Sequence, residues 1–279
     1  MSASQTMACV FGNPIEQSKS PIIHALFAEQ FDIDLQYVKR FAEADAFAFS
    51  ADEFFSLPNT IGANVTMPFK HDALKWVSSL SSQAKRAGAV NTIIRKGSIF
   101  EGDNTDGVGL VNDLKDHGVD LQGLNILVVG AGGAAKGVLP ALIDAGTNQL
   151  SVYNRSADKA IALVNETNHY KDNIATVYDD AAYDEAKEGF DLIINATSLS
   201  LYGKLPQISD LVFSNKPVVY DMVYQPSPTV FMQKANSFGC TNNIDGLGML
   251  VNQAAQSFYL WFGHYPEVGK VHQYLLANK

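Results

Sequence analysis

NILVVGAGGAAKGV, residues 125–138, is the most specific local signal in this sequence. The apolar run at its start predicts a buried strand, and the glycine-rich turn that follows matches G-x-G-x-x-A ahead of a helix. In this pattern the first glycine permits a tight turn, and the second lets the backbone approach a pyrophosphate at the helix N-terminus. The stretch therefore predicts a dinucleotide-binding unit. We assign its cofactor contacts to Gly130, Ala131, Gly132, Gly133 and Ala134.

The end of the next predicted strand indicates which dinucleotide is bound. An acidic residue at this place would bind the ribose 2′-hydroxyl of NAD. The chain instead has Asn154, Arg155 and Ser156 there, with Lys159 close behind. Arginine matches a 2′-phosphate in charge and geometry, and serine adds a hydroxyl donor. The alternative is that Arg155 is an ordinary exposed charge, but the missing acid and the added cation together favour NADP(H).

Strand-like and helix-like runs alternate along the chain, which predicts an α/β protein with largely parallel sheets. The pair Lys96 and Gly97 is typical of a hairpin turn, so the first sheet is expected to be mixed. Apolar residues at helical spacing over 247–262 predict a long terminal helix that packs back on an earlier domain. We expect two α/β domains, the second of them Rossmann-like. Their expected limits are 1–105 for the first domain, 106–118 for a connecting helix, 119–245 for the dinucleotide-binding domain and 246–279 for the returning C-terminal helices.

Composition restricts the class of protein. With 279 residues and a hydrophobic fraction of 47%, the chain is long enough for two globular domains. A net charge of −9 argues against a nucleic-acid or anionic-membrane partner, and no apolar run approaches the ~20 residues of a membrane span. Cys9 and Cys240 are too few for a disulfide framework, and the histidines show no ligand spacing. We therefore expect no metal and a reducing, cytoplasmic location, and the sequence leaves a homodimer open.

Several polar side chains stand where strands of the first domain are predicted to end. In NVTMPFK, residues 64–70, Lys70 falls in the first turn of a helix predicted to begin at Pro68. A lysine there is usually just an exposed charge, and the alternative is a proton carrier that points into a pocket. Asp106 follows GDNT and is most simply explained as a cap of the connecting helix.

Two serines precede a helix predicted to begin at Pro21. Ser20 is well placed as the N-cap of that helix, which is a sufficient structural explanation, whereas no cap explains Ser18. Two hydroxyls beside a helix N-terminus also suit a carboxylate ligand.

A series of motifs runs along the chain in this order: SKSPIIH, NVTMPFK, AGAVNT, GDNTDG, GAGGAAKGV, NRS, NATS, DMVYQP and DGLGMLVNQAA. With these motifs, the sequence closely resembles the shikimate dehydrogenase family along nearly its whole length. The resemblance implies two α/β domains with a cleft between them and a C-terminal helix that returns to the first. It also implies reversible NADPH-dependent reduction of the small molecule 3-dehydroshikimate to shikimate.

The resemblance further implies roles for single residues. Lys70 and Asp106 match the catalytic pair, with Lys70 as acid/base for hydride transfer to the C3 carbonyl. The positions that match holders of the substrate carboxylate are Ser18 and Ser20, with Tyr224 helping. Those that match partners of the ring hydroxyls are Asn64, Thr66, Asn91 and Gln253. Those expected near the cofactor are Thr197 and Ser198 at a strand end, and Met222, Gly246 and Met249 at the nicotinamide end.

Two alternatives stay open beside this interpretation. One is a quinate/shikimate dehydrogenase with broader cofactor use, against which Ser18 and Arg155 argue. The other is a non-catalytic paralogue that binds the ligand as a sensor. The complete pair of Lys70 and Asp106 argues against the second alternative.

Overall fold

The computed structural model describes residues 5–179 and 189–278, which form two compact units. The first unit contains the described residues up to Gly109 together with those from Leu250 onward. The second unit is the intervening stretch, Leu110–Met249, within the same described residues. The first unit is therefore discontinuous in sequence, since the chain leaves it and returns to it at the C-terminal end.

The first unit is built on a mixed sheet, as the sequence predicts. Among the described residues its strands are β1 (Thr6–Gly12), β2 (Leu35–Phe41), β3 (Thr60–Val65), β4 (Ser79–Leu80), β5 (Thr92–Lys96) and β6 (Ile99–Asp103). Their order is β2-β1-β3-β5-β6-β4, with β5 antiparallel to β3 and β6 and the other pairs parallel. The predicted hairpin is confirmed, because Lys96 pairs with Ile99 and Gly97 has a φ of +66°, a conformation that favours glycine.

One helix start in the first unit differs from the prediction. The helices before the connecting helix are α1 (Ser20–Glu29), α2 (Phe47–Phe55), α3 (Lys70–Trp76) and α4 (Ser82–Ala87). Helix α3 begins at Lys70 and not at Pro68. The reason is a turn ahead of the helix, in which the Phe69 N–H donates to the Thr66 carbonyl oxygen over 3.0 Å.

Phenylalanines form much of the core of the first unit. Phe11 of β1 packs edge-on against Phe47 and Phe54 of α2, with ring centroids 5.5 and 5.9 Å apart. Phe47 also stacks on Phe69 at 5.6 Å. Burying each such ring contributes roughly 1.5–3 kcal/mol of hydrophobic stabilisation. Because Phe69 directly precedes Lys70, this packing fixes the backbone from which the lysine projects.

The C-terminal part of the chain returns to the first sheet, which confirms that prediction. Helix α9 (Leu247–Phe262) brings in Trp261, whose indole N–H donates to the Ile93 carbonyl oxygen over 3.0 Å. Gly62 on β3 permits this close approach, since a Cβ at that position would lie 2.1 Å from the indole nitrogen. Helix α10 (Val268–Ala277) follows and belongs to the same unit.

The second unit has the parallel sheet of a Rossmann-like domain, as predicted. Its strands among the described residues are β7 (Asn125–Val129), β8 (Gln149–Tyr153), β9 (Ala175–Val177), β10 (Leu192–Asn195), β11 (Val218–Asp221) and β12 (Asn243–Asp245). Their order is β12-β11-β10-β7-β8-β9, and every pair is parallel. The helices are α5 (Asp106–Asp116), which carries the chain into this unit, α6 (Gly133–Asp144), α7 (Ala157–Asn168) and α8 (Val230–Ser237).

Strand β7 is buried on both faces, which explains its continuous apolar sequence. Ile126 and Val128 belong to one core cluster, whereas Leu127 and Val129 belong to another on the opposite face. The chain proceeds from β7 to β8 on one side and later to β10 on the other. Parallel sheets bind ligands at such a switch point, beyond the carboxyl ends of the strands. Among the described residues, no helix has both the length and the apolar character needed to cross a membrane.

Candidate active site

A pocket of about 460 Å³ lies in the second unit beyond the carboxyl ends of β7, β8 and β10. Its walls are residues 129–132, 153–156 with Lys159, 197–199 and 204–207. The first three groups contain most of the residues that the sequence predicts at the cofactor. The last group was not predicted, since residues 204–207 carry no recognisable motif.

The glycine loop forms one wall of this pocket. Gly130 has a φ of +117°, and a Cβ there would lie 3.2 Å from Thr197 and 3.3 Å from Ala196. The loop therefore requires glycine at this position for both conformation and space. At Gly132 and Gly133 an added Cβ would meet no described atom within 4 Å. The backbone is thus open to a phosphate at the start of α6, and the chain fits the pyrophosphate of a dinucleotide there.

Asn154 connects the glycine loop to the segment predicted to select the cofactor. Its Oδ1 accepts from the Ala131 N–H (3.2 Å), and its Nδ2 donates to the Ser156 carbonyl oxygen (3.0 Å). Ser156 is the N-cap residue of α7, but its side chain makes no capping hydrogen bond. Arg155 and Lys159 are exposed and line the pocket. This wall fits a 2′-phosphate, because two cations and a hydroxyl are available to it.

Five residues predicted at the cofactor lie outside the lining of this pocket. Gly133 and Ala134 form the first turn of α6. Gly246 packs against the backbone, where a Cβ would lie 2.1 Å from the Met222 carbonyl oxygen. Met249 is 8% exposed and belongs to the core of the second unit. A close packing requirement thus accounts for Gly246, and its predicted cofactor contact stays a prediction.

In the first unit, Lys70 and Asp106 form a close ion pair. Lys70 is the first residue of α3 and Asp106 the first of α5, and Lys70 Nζ donates to Asp106 Oδ2 over 2.5 Å. The other carboxylate oxygen accepts from Asn91 Nδ2 at 2.8 Å. The backbone N–H of Asp106 donates to Asn104 Oδ1 (3.1 Å). The Asp106 carboxylate itself is held between Lys70 and Asn91. The lysine side chain is 31% exposed, which leaves its ammonium accessible to a ligand.

A network of buried side chains lies behind this ion pair. Asn91 Oδ1 accepts from the Thr105 N–H (2.9 Å) and from the Thr92 hydroxyl (2.9 Å). The Thr92 hydroxyl also lies 2.8 Å from the hydroxyl of Ser257 on α9 and 3.2 Å from Asn64 Nδ2. All five of these residues are buried. The network fixes the amide of Asn91 and thereby orients the carboxylate that holds the lysine.

Both polar atoms of the Asn64 side-chain amide already have hydrogen-bond partners within the protein. Its Oδ1 accepts from the Tyr37 hydroxyl (2.8 Å) and faces His24 Nε2 at 3.1 Å. Its Nδ2 lies 3.3 Å from the Asn91 carbonyl oxygen and 3.0 Å from the Ser257 hydroxyl. The predicted contact of Asn64 with a ring hydroxyl stays a prediction, and it requires one of these partners to be exchanged. Sequence reasoning missed Tyr37 and Ser257, which lie in no recognisable motif, and it gave no role to His24 although this residue ends the motif SKSPIIH.

His24 is completely buried and is held in its neutral form. Its ring stacks on that of Tyr37, with centroids 4.4 Å apart and an interplanar angle of 6°. Burial lowers the pKa of His24 from its ordinary 6.5 to about 3, against the opposing effect of the hydrogen bond to Asn64. Protonation would add an N–H at Nδ1, which has no hydrogen-bond partner among the described residues.

Acidification should destabilise the protein through His24. Below pH 6.5 the unfolded chain takes up a proton that the folded chain does not accept until about pH 3, so stability falls as the pH decreases. Between about pH 7 and about pH 5 this single group should lower the free energy of unfolding by about 2 kcal/mol. Urea unfolding of wild type and His24→Gln at both pH values measures the difference. The exposed His71 supplies the control, since His71→Gln should keep the wild-type pH dependence. An equal pH dependence in wild type and His24→Gln would contradict the prediction.

The two serines lie side by side at the start of α1. Lys19 is the N-cap residue of this helix and makes no side-chain cap, so the prediction that Ser20 is the N-cap is wrong, as is a start at Pro21. Ser18 Oγ instead accepts the Ser20 N–H (3.3 Å), because it precedes the helix by two residues. The Ser18 and Ser20 hydroxyl oxygens are 3.2 Å apart. Two adjacent hydroxyl donors at a helix N-terminus suit an anionic group.

The remaining predicted substrate residues are in both units. In the first unit, Gln253 Oε1 accepts from the Thr105 hydroxyl at 3.5 Å, which brings it to the buried network. Thr66 follows β3, and its N–H donates to the Phe11 carbonyl oxygen (2.9 Å). Tyr224 lies in the second unit, where burial and the negative charge of Asp245 raise its pKa. Among the described residues, no group of three or more His, Cys, Asp or Glu side chains is arranged to hold a metal ion.

Comparison with known proteins gives matches to this chain from near its beginning to near its end. The family model for the shikimate dehydrogenase substrate binding domain matches residues 10–93, that for shikimate / quinate 5-dehydrogenase matches residues 113–202, and that for the shikimate 5'-dehydrogenase C-terminal domain matches residues 246–276. Shikimate dehydrogenase (NADP(+)) of Chromohalobacter salexigens is 46% identical over 268 residues, and the match covers 96% of each chain. The enzyme of the same name from Vibrio atlanticus is 47% identical over 271 residues, again with 96% of each chain covered.

A solved structure is similar over the same extent. Shikimate 5-dehydrogenase from Thermus thermophilus, in complex with NADP(H) and shikimate, superposes with a TM-score of 0.85 at 30% sequence identity. The superposition covers 96% of this chain and 98% of that one.

Proposed function

This chain belongs to the shikimate dehydrogenase family, and we propose that it catalyses the reversible NADPH-dependent reduction of 3-dehydroshikimate to shikimate. The main structural support for this reaction is the ion pair of Lys70 and Asp106. It supplies a proton donor that is held in place by a carboxylate and is partly open to a ligand. The dinucleotide pocket of the second unit supports the same conclusion, because its cationic wall suits a 2′-phosphate.

Lys70 is proposed to be the acid/base. Bound NADPH supplies the hydride that reduces the C3 carbonyl of the substrate. Negative charge then develops on the carbonyl oxygen, and the Lys70 ammonium stabilises it and donates a proton. In the reverse direction, neutral Lys70 accepts the proton from the shikimate hydroxyl. Asp106 holds the lysine at 2.5 Å, so that little reorientation is needed when the charge develops.

Ser18 and Ser20 are proposed to hold the substrate carboxylate, and Asn91, Thr66 and Gln253 to orient its ring hydroxyls. Hydroxyl donors beside a helix N-terminus stabilise an anion. We infer a cytoplasmic location as well, because Cys9 and Cys240 are free thiols in the structure and suit a reducing compartment.

The decisive experiment is an assay of NADPH oxidation by the purified full chain with 3-dehydroshikimate. Steady turnover that consumes one NADPH per shikimate formed would support the proposal. Absence of turnover, with binding of shikimate retained, would identify a ligand-sensing protein instead. Equal efficiency with quinate in the reverse reaction, or with NADH in place of NADPH, would identify the broader quinate/shikimate type.

Ser18→Ala should raise the Michaelis constant for 3-dehydroshikimate about tenfold or more, because a hydrogen bond to a charged group is worth about 1.5–3 kcal/mol. The KM for NADPH should not change. The helix start should lose about 1 kcal/mol of stability, since Ser18 accepts the Ser20 N–H. Steady-state kinetics and thermal unfolding of the same preparation measure the two effects.

Ser81 provides a matched control for the loss of a cap. It is the N-cap residue of α4 in the same unit and accepts the Ala84 N–H at 3.0 Å. Ser81→Ala should lose stability through this cap and through the hydrogen bond that its hydroxyl donates to Asp103, but leave both Michaelis constants unchanged. If Ser18→Ala behaves like this control, the two serines do not bind the carboxylate.

A further inference from the structure

The segment 204–207 forms a wall of the dinucleotide pocket that no motif predicts. It follows a 3-10 helix (Leu199–Tyr202), after which Gly203 adopts a left-handed φ of +66° and turns the chain. The Lys204 N–H donates to the Leu199 carbonyl oxygen at 3.0 Å, which closes this turn. Glycine removes the steric cost of the turn, so the position of the segment is defined by the backbone.

The far end of the segment is attached to strand β8. The Tyr153 hydroxyl donates to the Gln207 carbonyl oxygen. Tyr153 is the last residue of β8 and directly precedes Asn154 and Arg155. The segment is therefore tied at Gln207 to the end of β8, the strand that leads into the residues predicted to bind the 2′-phosphate, and both line the same pocket.

Three cations line this pocket without an anionic partner. Arg155, Lys159 and Lys204 are all exposed, and none of them forms an ion pair with a described residue. In contrast, Lys136 pairs with Glu166 at 2.7 Å, and Lys234 pairs with Asp210 elsewhere in the same unit. No described residue that lines the pocket is acidic. In a protein of net charge −9, three uncompensated cations around one cavity indicate a ligand with several negative charges.

We propose that Lys204 is a third cation for the 2′-phosphate of NADP(H), acting with Arg155 and Lys159 from a different wall of the pocket. The assignment rests on the proposed use of NADP(H). The attachment of its segment to Tyr153 favours the 2′-phosphate over the pyrophosphate, which the glycine loop and the start of α6 receive. Lysine acts as a flexible point charge, so its effect should be smaller than that of a bidentate arginine.

The test measures binding directly, without the second substrate. The Kd values of NADPH and NADH are obtained from the fluorescence of the bound nucleotide, for wild type, Lys204→Met, Lys204→Arg and Lys171→Met. Lys171 is an exposed lysine of the same unit that does not line the pocket, so its variant has the same change in net charge. Competition with adenosine 2′,5′-bisphosphate and with 5′-AMP isolates the contribution of the 2′-phosphate.

Lys204→Met should raise the Kd of NADPH and of adenosine 2′,5′-bisphosphate about three- to tenfold, and the difference should shrink at high salt. The Kd of NADH and of 5′-AMP should change by less than about twofold, and Lys204→Arg and Lys171→Met should bind like wild type. Equal weakening of NADPH and NADH, or no change in either, would overturn the assignment. Because binding is measured alone, the inference survives if NADPH binds in this way but 3-dehydroshikimate is not reduced.

Discussion

Lys70→Ala should lower kcat by about 10²–10⁴-fold, the range in which a positioned general acid contributes. The expected loss lies in kcat because the charge that the lysine stabilises develops only in the transition state. Substrate binding should change little, since Ser18 and Ser20 are proposed to hold the carboxylate. The measurement is NADPH oxidation at saturating 3-dehydroshikimate, together with the Kd of shikimate from equilibrium titration.

Helix α3 offers a matched control for this substitution. Lys75 lies in the last turn of the same helix and takes no part in the ion pair with Asp106. Lys75→Ala should keep the wild-type kcat. Added methylamine should restore part of the activity of Lys70→Ala, because it can supply the missing ammonium. A Lys70→Ala enzyme that retains more than about a tenth of wild-type turnover would remove Lys70 from the role of general acid.

Arg155→Ala should raise the Michaelis constant for NADPH about 10- to 150-fold and barely change that for NADH. The physical reason is the loss of charged hydrogen bonds to the 2′-phosphate, worth about 1.5–3 kcal/mol. Arg155 forms no ion pair with a described residue, so its removal breaks no salt bridge among them. Steady-state kinetics with both cofactors at saturating 3-dehydroshikimate measure the effect.

Thermal unfolding of Arg155→Ala provides the control for folding, and the melting temperature should equal that of wild type. Lys136→Ala is a useful comparison, because that lysine pairs with Glu166 on α7 and does not line the pocket. It should leave the preference for NADPH unchanged. An equal rise of the Michaelis constants for NADPH and NADH in Arg155→Ala would show that Arg155 supports the structure of the pocket and does not bind the 2′-phosphate.

The sequence predicts the longer strands well because burial of a strand requires apolar side chains, which leave a recognisable pattern in the sequence. Strand β7 is apolar from Ile126 to Val129 because both of its faces are covered, and the hairpin after β5 is marked by Gly97. The short strands Ser79–Leu80, Ala175–Val177 and Asn243–Asp245 were missed. Two or three residues are too few to show alternation, and their pairing depends on neighbours that are distant in sequence.

In the candidate site, residues that lie in local motifs could be predicted, whereas contacts between residues distant in sequence could not. Lys70, Asp106 and the glycine loop lie in recognisable motifs, and the structure brings Lys70 to Asp106 across 36 positions of sequence. The partners of Asn64 could not be predicted, since Ser257 is 193 positions away and Tyr37 is 27. The prediction that Ser20 is the N-cap is wrong because Lys19, the residue before it, occupies the N-cap position in a helical backbone conformation. The type of side chain alone does not reveal this conformation.

The discontinuity of the first unit has a consequence for the order of synthesis on the ribosome. Domains fold largely as units while the chain emerges. The first unit cannot complete its packing until the end of the chain has been made. Only then can Trp261 pack in the core beside Ile94 and Ser257 bond Asn64. The second unit is made entirely in between and has all of its strands earlier. A ribosome that stops after Met249 therefore releases a chain that contains the whole second unit, whereas Ser257, which bonds Asn64 in the first unit, is still missing.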